Sequence, residues 1–154
     1  MGSSSDQDEL WMQVALTAAY RGGQMGEVPI GAAFVDADGV LVCAASNRTI
    51  TDSDPTGHAE IRALRRAAEV SGNYRLTGGT IYTTIEPCVM CAGALVNARV
   101  KRLVFGAHDE RFGAVETLFR LCDDPRLNHR IEVVAGVLAE KCRSLMQEFF
   151  RARR

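Results

Sequence analysis

The chain of 154 residues has no apolar run approaching the roughly 18 to 20 residues that a membrane span needs. Its first residues also lack the basic, then apolar, then small-residue order of an export signal, so a cytoplasmic protein is expected. Their Met-Gly-Ser-Ser-Ser start reads as a remnant of expression. Residues 1–8 are therefore expected to be disordered or extraneous, ahead of a single domain over residues 9–154. A surplus of positive charge is missing too. The formal net charge is −1, which withholds the overall electrostatic signature of a nucleic-acid binder and leaves any such role to a local patch. One patch exists, at the terminal Phe149-Phe150-Arg151-Ala152-Arg153-Arg154.

An even set of cysteines is also lacking. Five of them, Cys43, Cys88, Cys91, Cys122 and Cys142, in a chain without an export signal argue against a disulfide framework. Cys43, Cys122 and Cys142 stand in apolar or helical surroundings and read as packing thiols. Linkers, internal repeats and low-complexity tracts are absent. With 47% hydrophobic residues, the chain is long enough to bury one substantial core.

The elements that are present alternate. Leu10, Val14 and Leu16 to Ala18 recur at helical spacing, ended by Gly22-Gly23. Two apolar runs, 28–36 and 39–47, are joined at Asp36-Ala37-Asp38-Gly39 as a hairpin. A loop rich in Asp, Ser, Pro and Gly precedes an amphipathic helix from His58, with Ile61, Leu64 and Ala68 on one face. The β-branched run 79–86 predicts a strand, and Pro87 opens a helix. Strands over 100–107 and 130–137 follow, then a long amphipathic helix from Leu138; the intervening 109–129 reads as partly helical at Ala114–Leu121. This order implies an α/β protein, a mixed sheet with helices on both faces.

Cys88 and Cys91 admit four readings: a disulfide, a redox pair, a structural zinc site and a catalytic metal site. A structural zinc site needs a fourth protein ligand, and none is placed to serve, since His108 and His129 are isolated and read as surface or satisfied histidines. His58, Cys88 and Cys91 make three ligands and leave one tetrahedral position for water. At i and i+3 in a first helical turn, both sulfurs point one way, where free N–H groups and the helix dipole favour thiolate. Two thiolates offset the charge of a zinc ion, so its water needs a base, and Glu60 is two residues from His58. Redox chemistry stays open on these residues alone, and a metal analysis separates the two.

His58-Ala59-Glu60 with Pro87-Cys88-Val89-Met90-Cys91 resembles the H-x-E…P-C-x-x-C signature of the zinc-dependent nucleobase deaminases in the cytidine/deoxycytidylate deaminase superfamily. Further stretches, among them Glu27–Ala32, Asp54–Arg65, Glu86–Ala94 and the terminal Glu148–Arg154, are similar to the branch that acts on tRNA adenosine. The resemblance implies a three-layer α/β/α cytidine-deaminase-like fold with a five-stranded mixed sheet. It also implies one Zn²⁺ per chain, a homodimer, and conversion of a wobble adenosine to inosine in the anticodon stem-loop of an arginine tRNA. The alternatives are a small-molecule deaminase of guanine, cytosine or cytidine, and a non-catalytic RNA-binding subunit.

By the same resemblance, Glu60 is catalytic and His58, Cys88 and Cys91 hold the metal. Asn47 hydrogen-bonds the extruded adenine, Ile30 packs on it, and the Ala59 backbone lies beside the reacting centre. Asp109 contacts the ribose, while Phe149, Phe150 and Arg151 hold the anticodon loop. Residues 110–117 depart from the family pattern. Arg111 or Phe112 stands for a lysine there, and Glu116-Thr117 replaces Gly-Ser.

Overall fold

A computed structural model describes residues 2–153, with side chains from residue 6 onward; Met1 and Arg154, the last of the terminal arginines, lie outside them. In chain order the elements are α1 (Gly2–Gln24), β1 (Gly31–Val35), β2 (Leu41–Ser46), α2 (Ala59–Ser71), β3 (Thr80–Ile85), α3 (Val89–Ala98), β4 (Arg102–Ala107), β5 (Glu132–Ala135) and α4 (Ala139–Arg151). The strands form one sheet ordered β2-β1-β3-β4-β5. β1 is antiparallel to both neighbours, and β3, β4 and β5 run parallel. This is the expected three-layer, five-stranded mixed sheet.

The central strands are buried on both faces, so their apolar runs are continuous rather than alternating. Alternate side chains nevertheless serve different layers. Ala32, Phe34, Ile81, Leu103 and Phe105 pack with Ala63, Leu64 and Ala67 of α2 and with Ala92, Leu95 and Val96 of α3. Ala33, Val35, Tyr82 and Val104 pack with Met12, Ala15 and Leu16 of α1 and with Cys142, Leu145 and Met146 of α4. Gly31 is where α1 crosses closest. A Cβ there would lie 2.0 Å from the carbonyl oxygen of Ala15, so only glycine admits the helix at that distance.

Three sequence expectations change. Helix α1 begins at Gly2 and buries Asp8, Met12, Ala15, Leu16 and Ala19, whereas Leu10 is exposed. The edge of the fold therefore lies before Asp8 rather than after it. The reason is electrostatic: Asp8 makes a bidentate pair with Arg102 of β4 (2.8 and 2.9 Å) and accepts from the Tyr82 hydroxyl (2.8 Å). Helix α2 turns its core face toward Glu60, Ala63, Leu64 and Ala67, leaving Ile61 and Ala68 only partly buried. Residues 109–129 contain no helix; the expected helical turn at Ala114–Leu121 is instead a loop in which the N–H groups of Val115, Glu116 and Thr117 are taken by a buried carboxylate described below.

Burial alone would raise the Asp8 carboxyl, but hydrogen bonds from Arg102 and Tyr82 hold it below its ordinary value. A depressed carboxyl contributes stability above its unfolded pKa and loses it as pH falls through the folded one. Asp8→Asn is expected to cost about 2–3 kcal/mol at pH 7, lowering the melting temperature by roughly 4–12 °C. The difference between the thermal melts of the two proteins should begin to shrink as pH falls below about 4, the ordinary aspartate value, and should close only below the depressed value of the folded carboxyl.

Candidate active site

One end of the sheet collects residues that are far apart in sequence. β3 runs parallel to β4 and antiparallel to β1, so the exit of β3, the entry of β1 and the exits of β2 and β4 share an edge. The Gly31 N–H, at the start of β1, donates to Thr84 Oγ1 near the end of β3 (3.1 Å). Ile30, Asn47, Glu86 to Cys88 and Asp109 therefore belong to a single edge, where α2 and α3 also begin.

His58 is the N-cap of α2 and Cys88 the N-cap of α3, both with extended backbone and neither capping its own helix with its side chain. Pro87 thus precedes the helix instead of opening it, and Cys91 is its third residue. Freed from capping, the two N-cap side chains point at each other across two helix N-termini. His58 Nδ1 lies 3.6 Å from Cys88 Sγ and 3.4 Å from Cys91 Sγ, and all three donor atoms fall within 4.8 Å of one another. A zinc ion with Zn–S and Zn–N bonds of ordinary length has tetrahedral edges of about 3.6 Å, so this donor set fits that ion.

Among themselves the three groups share protons. The hydrogen bond from the Cys91 thiol, helped by one from His58, lowers Cys88 to about 4. The same bond to Cys88 pushes Cys91 up, and the bond to Cys88 also raises His58. The trio therefore keeps a proton on Cys91 at neutral pH until a cation displaces it.

Glu60, in the first turn of α2, is 4% exposed. Its Oε1 is a buried polar atom without a partner among the described residues, and burial pushes its carboxyl up to about 7. Leaving such an atom bare is costly, and sites that do so reserve it for a ligand. Glu60 lines a cavity of about 360 Å³ with His58, Cys88, Ile30, Ile85, Glu86, Asp109 and Phe112. A carboxyl near neutrality, an imidazole–dithiol set and an apolar wall therefore meet in one cleft.

Two buried glutamates hold the flanking loops. Glu86 Oε1 accepts from the Asp109 N–H (3.1 Å) and the Thr117 hydroxyl, and its Oε2 from the N–H groups of Val115, Glu116 and Thr117 (3.1, 2.8 and 2.9 Å). Three of the five are backbone N–H groups of Val115, Glu116 and Thr117, inside the stretch expected to be helical. A side chain at Gly113 would sit 2.4 Å from that carboxyl, so the loop closes over Glu86 only with glycine there. Glu27 accepts from the N–H groups of Ile50 (3.2 Å) and Thr51 (2.6 Å), fixing the loop that leads to His58. Sequence reasoning assigned neither glutamate a role. Their only sequence signal is a carboxylate directly before Pro87 and one just ahead of Val28-Pro29.

The remaining expected residues divide. Ala59 is buried, and its N–H donates to Asn47 Oδ1 (2.9 Å), so that oxygen caps α2 and only the amide nitrogen of Asn47 is left for another partner. Asp109 Oδ1 accepts from the N–H groups of Arg111 (3.0 Å) and Phe112 (3.2 Å), which leaves Oδ2. Phe149, Phe150 and Arg151 are not in the cavity. They end α4, where Phe149 approaches Gly23, itself against Pro29 beside Ile30. The Arg153 guanidinium covers the Phe149 ring at 3.5 Å, while Phe150 and Arg151 are exposed. His108 bonds Glu116 (2.9 Å) and His129 the Val100 carbonyl (2.7 Å), so neither joins the cluster. The three other cysteines are free thiols; Cys122 and Cys142 are buried, and burial pushes each up to about 12.

Fold and site together are those of a deaminase, and the MafB19-like deaminase model matches residues 6–154. The chain is 47% identical over 150 residues to the tRNA-specific adenosine deaminase of Haemophilus influenzae, covering 97% of this chain and 87% of that one. It is 44% identical to the enzyme of the same name from Bacillus subtilis, covering 94% and 89%. A solved structure from work on A-to-I editing by tRNA:A34 deaminases superposes with a TM-score of 0.84 and 41% identity, over 88% of this chain and 97% of the other. The chain belongs to this deaminase family and, within it, groups with the tRNA-specific adenosine deaminases.

Two outcomes follow from the site. Zinc binding at pH 7 should release at least about one proton per chain, measured by titrating the protein in weakly buffered dye solution. Glu86→Ala leaves four backbone N–H groups without their acceptor and is expected to cost about 3 kcal/mol, with faster hydrogen exchange confined to residues 109–117.

Proposed function

We propose that this chain hydrolyses the exocyclic amine of a wobble adenosine in a tRNA anticodon loop, yielding inosine and ammonia, with an arginine tRNA as the first substrate to try. The observation that carries the reading is the buried Glu60 carboxyl, whose Oε1 has no partner among the described residues, beside the His58–Cys88–Cys91 set in an apolar cleft. The names of the relatives at 47% and 44% identity support the substrate class.

Zn²⁺, one per chain, suits the donors: His58 Nδ1 and the sulfurs of Cys88 and Cys91 would hold it. When bound, it supplies Lewis acidity that makes water nucleophilic near neutral pH. Glu60 takes the proton of the attacking water and gives it to adenine N1 as C6 becomes tetrahedral. It then carries the water's second proton to the departing amine as the C–N bond breaks. A carboxyl raised by burial is suited to both giving and taking protons. Ile30 packs on the base, the free amide nitrogen of Asn47 donates to it, the Ala59 backbone borders it, and Asp109 meets the ribose. Phe150 and Arg151, exposed at the end of α4, suit the rest of the anticodon loop, with Phe149 behind them. Anticodon bases are already unpaired, so extruding one costs less than from a duplex.

The reading extends to assembly and place. Val89, Met90, Gly93 and Ala94 form an outward, mostly apolar stripe on α3 that suits a second copy of the chain. Among the described residues no helix is long and apolar enough to cross a membrane, and tRNA and reduced thiolates both suit the cytoplasm.

Incubating the zinc-loaded protein with an arginine tRNA transcript should produce inosine at the wobble position, and free adenine, guanine or cytidine should release no ammonia. The converse pattern would assign a small-molecule deaminase. Glu60→Ala should keep about one zinc per chain and lose about 10²–10⁴-fold or more in turnover; activity at the wild-type level would remove Glu60 from the mechanism.

A further inference from the structure

We propose that Phe112 is a stacking platform for the nucleobase next to the one being deaminated, an inference that rests on the function proposed above. Phe112 lines the catalytic cavity yet is 63% exposed. An aromatic ring that borders an enclosed site with one part and shows water the rest has a face left for a second planar group. The cavity itself, about 360 Å³, is at the small end of ligand sites. It suits one extruded nucleoside, so the adjoining base has to stay outside, at the mouth where this ring stands.

The backbone that carries the ring is also held in place beforehand. The Phe112 N–H is bound by Asp109 Oδ1, the Gly113 N–H donates to the Asp109 carbonyl (3.0 Å), and the next turn is clamped by Glu86. Exposing the ring is thus a property of a hydrogen-bonded loop, and stacking on it has to immobilise the side chain but not the backbone beneath. Beside it, Arg111 is exposed and forms no ion pair among the described residues, which leaves a cation for the phosphate linking the two nucleotides. Once one base leaves a loop its neighbour loses a stacking partner, and an aromatic face supplies a replacement whatever the base identity.

The test uses zinc-loaded wild type, Phe112→Leu and Phe112→Tyr with an anticodon stem-loop and with two versions abasic immediately 5′ or 3′ of the target adenosine. On the complete stem-loop, Phe112→Leu should raise KM roughly 5- to 150-fold, the range that one base–aromatic stack represents, while Phe112→Tyr stays close to wild type. On one of the two abasic stem-loops, wild type and Phe112→Leu should have the same KM. A 2-aminopurine at that position should be quenched by wild type and not by Phe112→Leu. An unchanged KM in Phe112→Leu, a loss that persists on both abasic stem-loops, or loss of zinc from Phe112→Leu would each overturn the proposal. A wild type that forms no inosine on any stem-loop overturns the function beneath it, whereas inosine formation with any of those three outcomes overturns the stacking role alone.

Discussion

The corner Glu86-Pro87-Cys88 at the end of β3 is the constraint on which the site depends. Pro87 keeps the preceding residue extended, so Glu86 ends the strand rather than starting the helix, and Cys88 becomes an N-cap whose side chain is free to leave its own helix. The Glu86 carboxylate meanwhile gathers five donors from residues 109–117. Three consecutive residues therefore end a central strand, begin the helix that carries both sulfurs, and fix the loop that roofs the cavity. Moving any one of these moves the others.

The cleft contains two carboxyls in opposite environments. Burial acts to raise Glu86, but the Thr117 hydroxyl and the N–H groups of Glu116, Thr117 and Asp109 more than offset it and hold it below the ordinary range. Burial pushes Glu60 up to about 7, and its Oε1 has no donor among the described residues. One group stays charged and structural, and the other stands where it can exchange a proton. Burial dominates at Glu60, whereas hydrogen-bond supply more than offsets it at Glu86, and that balance separates their roles.

Much of this was legible in the sequence. The order of elements, the ligand trio and the companion glutamate follow from short-range patterns: helical spacing, β-branched runs, and residue types whose chemistry needs one another. Two of the misreadings share one cause, which is pairing across long sequence distances. Asp8 looked like part of an extraneous tail because its partner Arg102 is 94 residues away. Ala114–Leu121 looked helical because local propensity says so, but Glu86, about 30 residues upstream, accepts from three consecutive N–H groups there and fixes a loop. The face of α2 was placed about a quarter-turn off because Glu60, a charged residue, occupies the buried side.

From its sequence alone this chain determined which atoms can bind a metal and which carboxyl can serve them, since those depend on residue type and on spacing along one helix. Only the tertiary structure decided that Glu60 is buried with Oε1 unpartnered among the described residues, that Asn47 spends its oxygen on Ala59, and that Phe112 stands at the mouth of the cavity. The physical reason is that protonation and exposure are set by what surrounds a group in space. At this sheet edge the neighbours come from four strand ends and two helix starts, brought together by topology and by two buried glutamates.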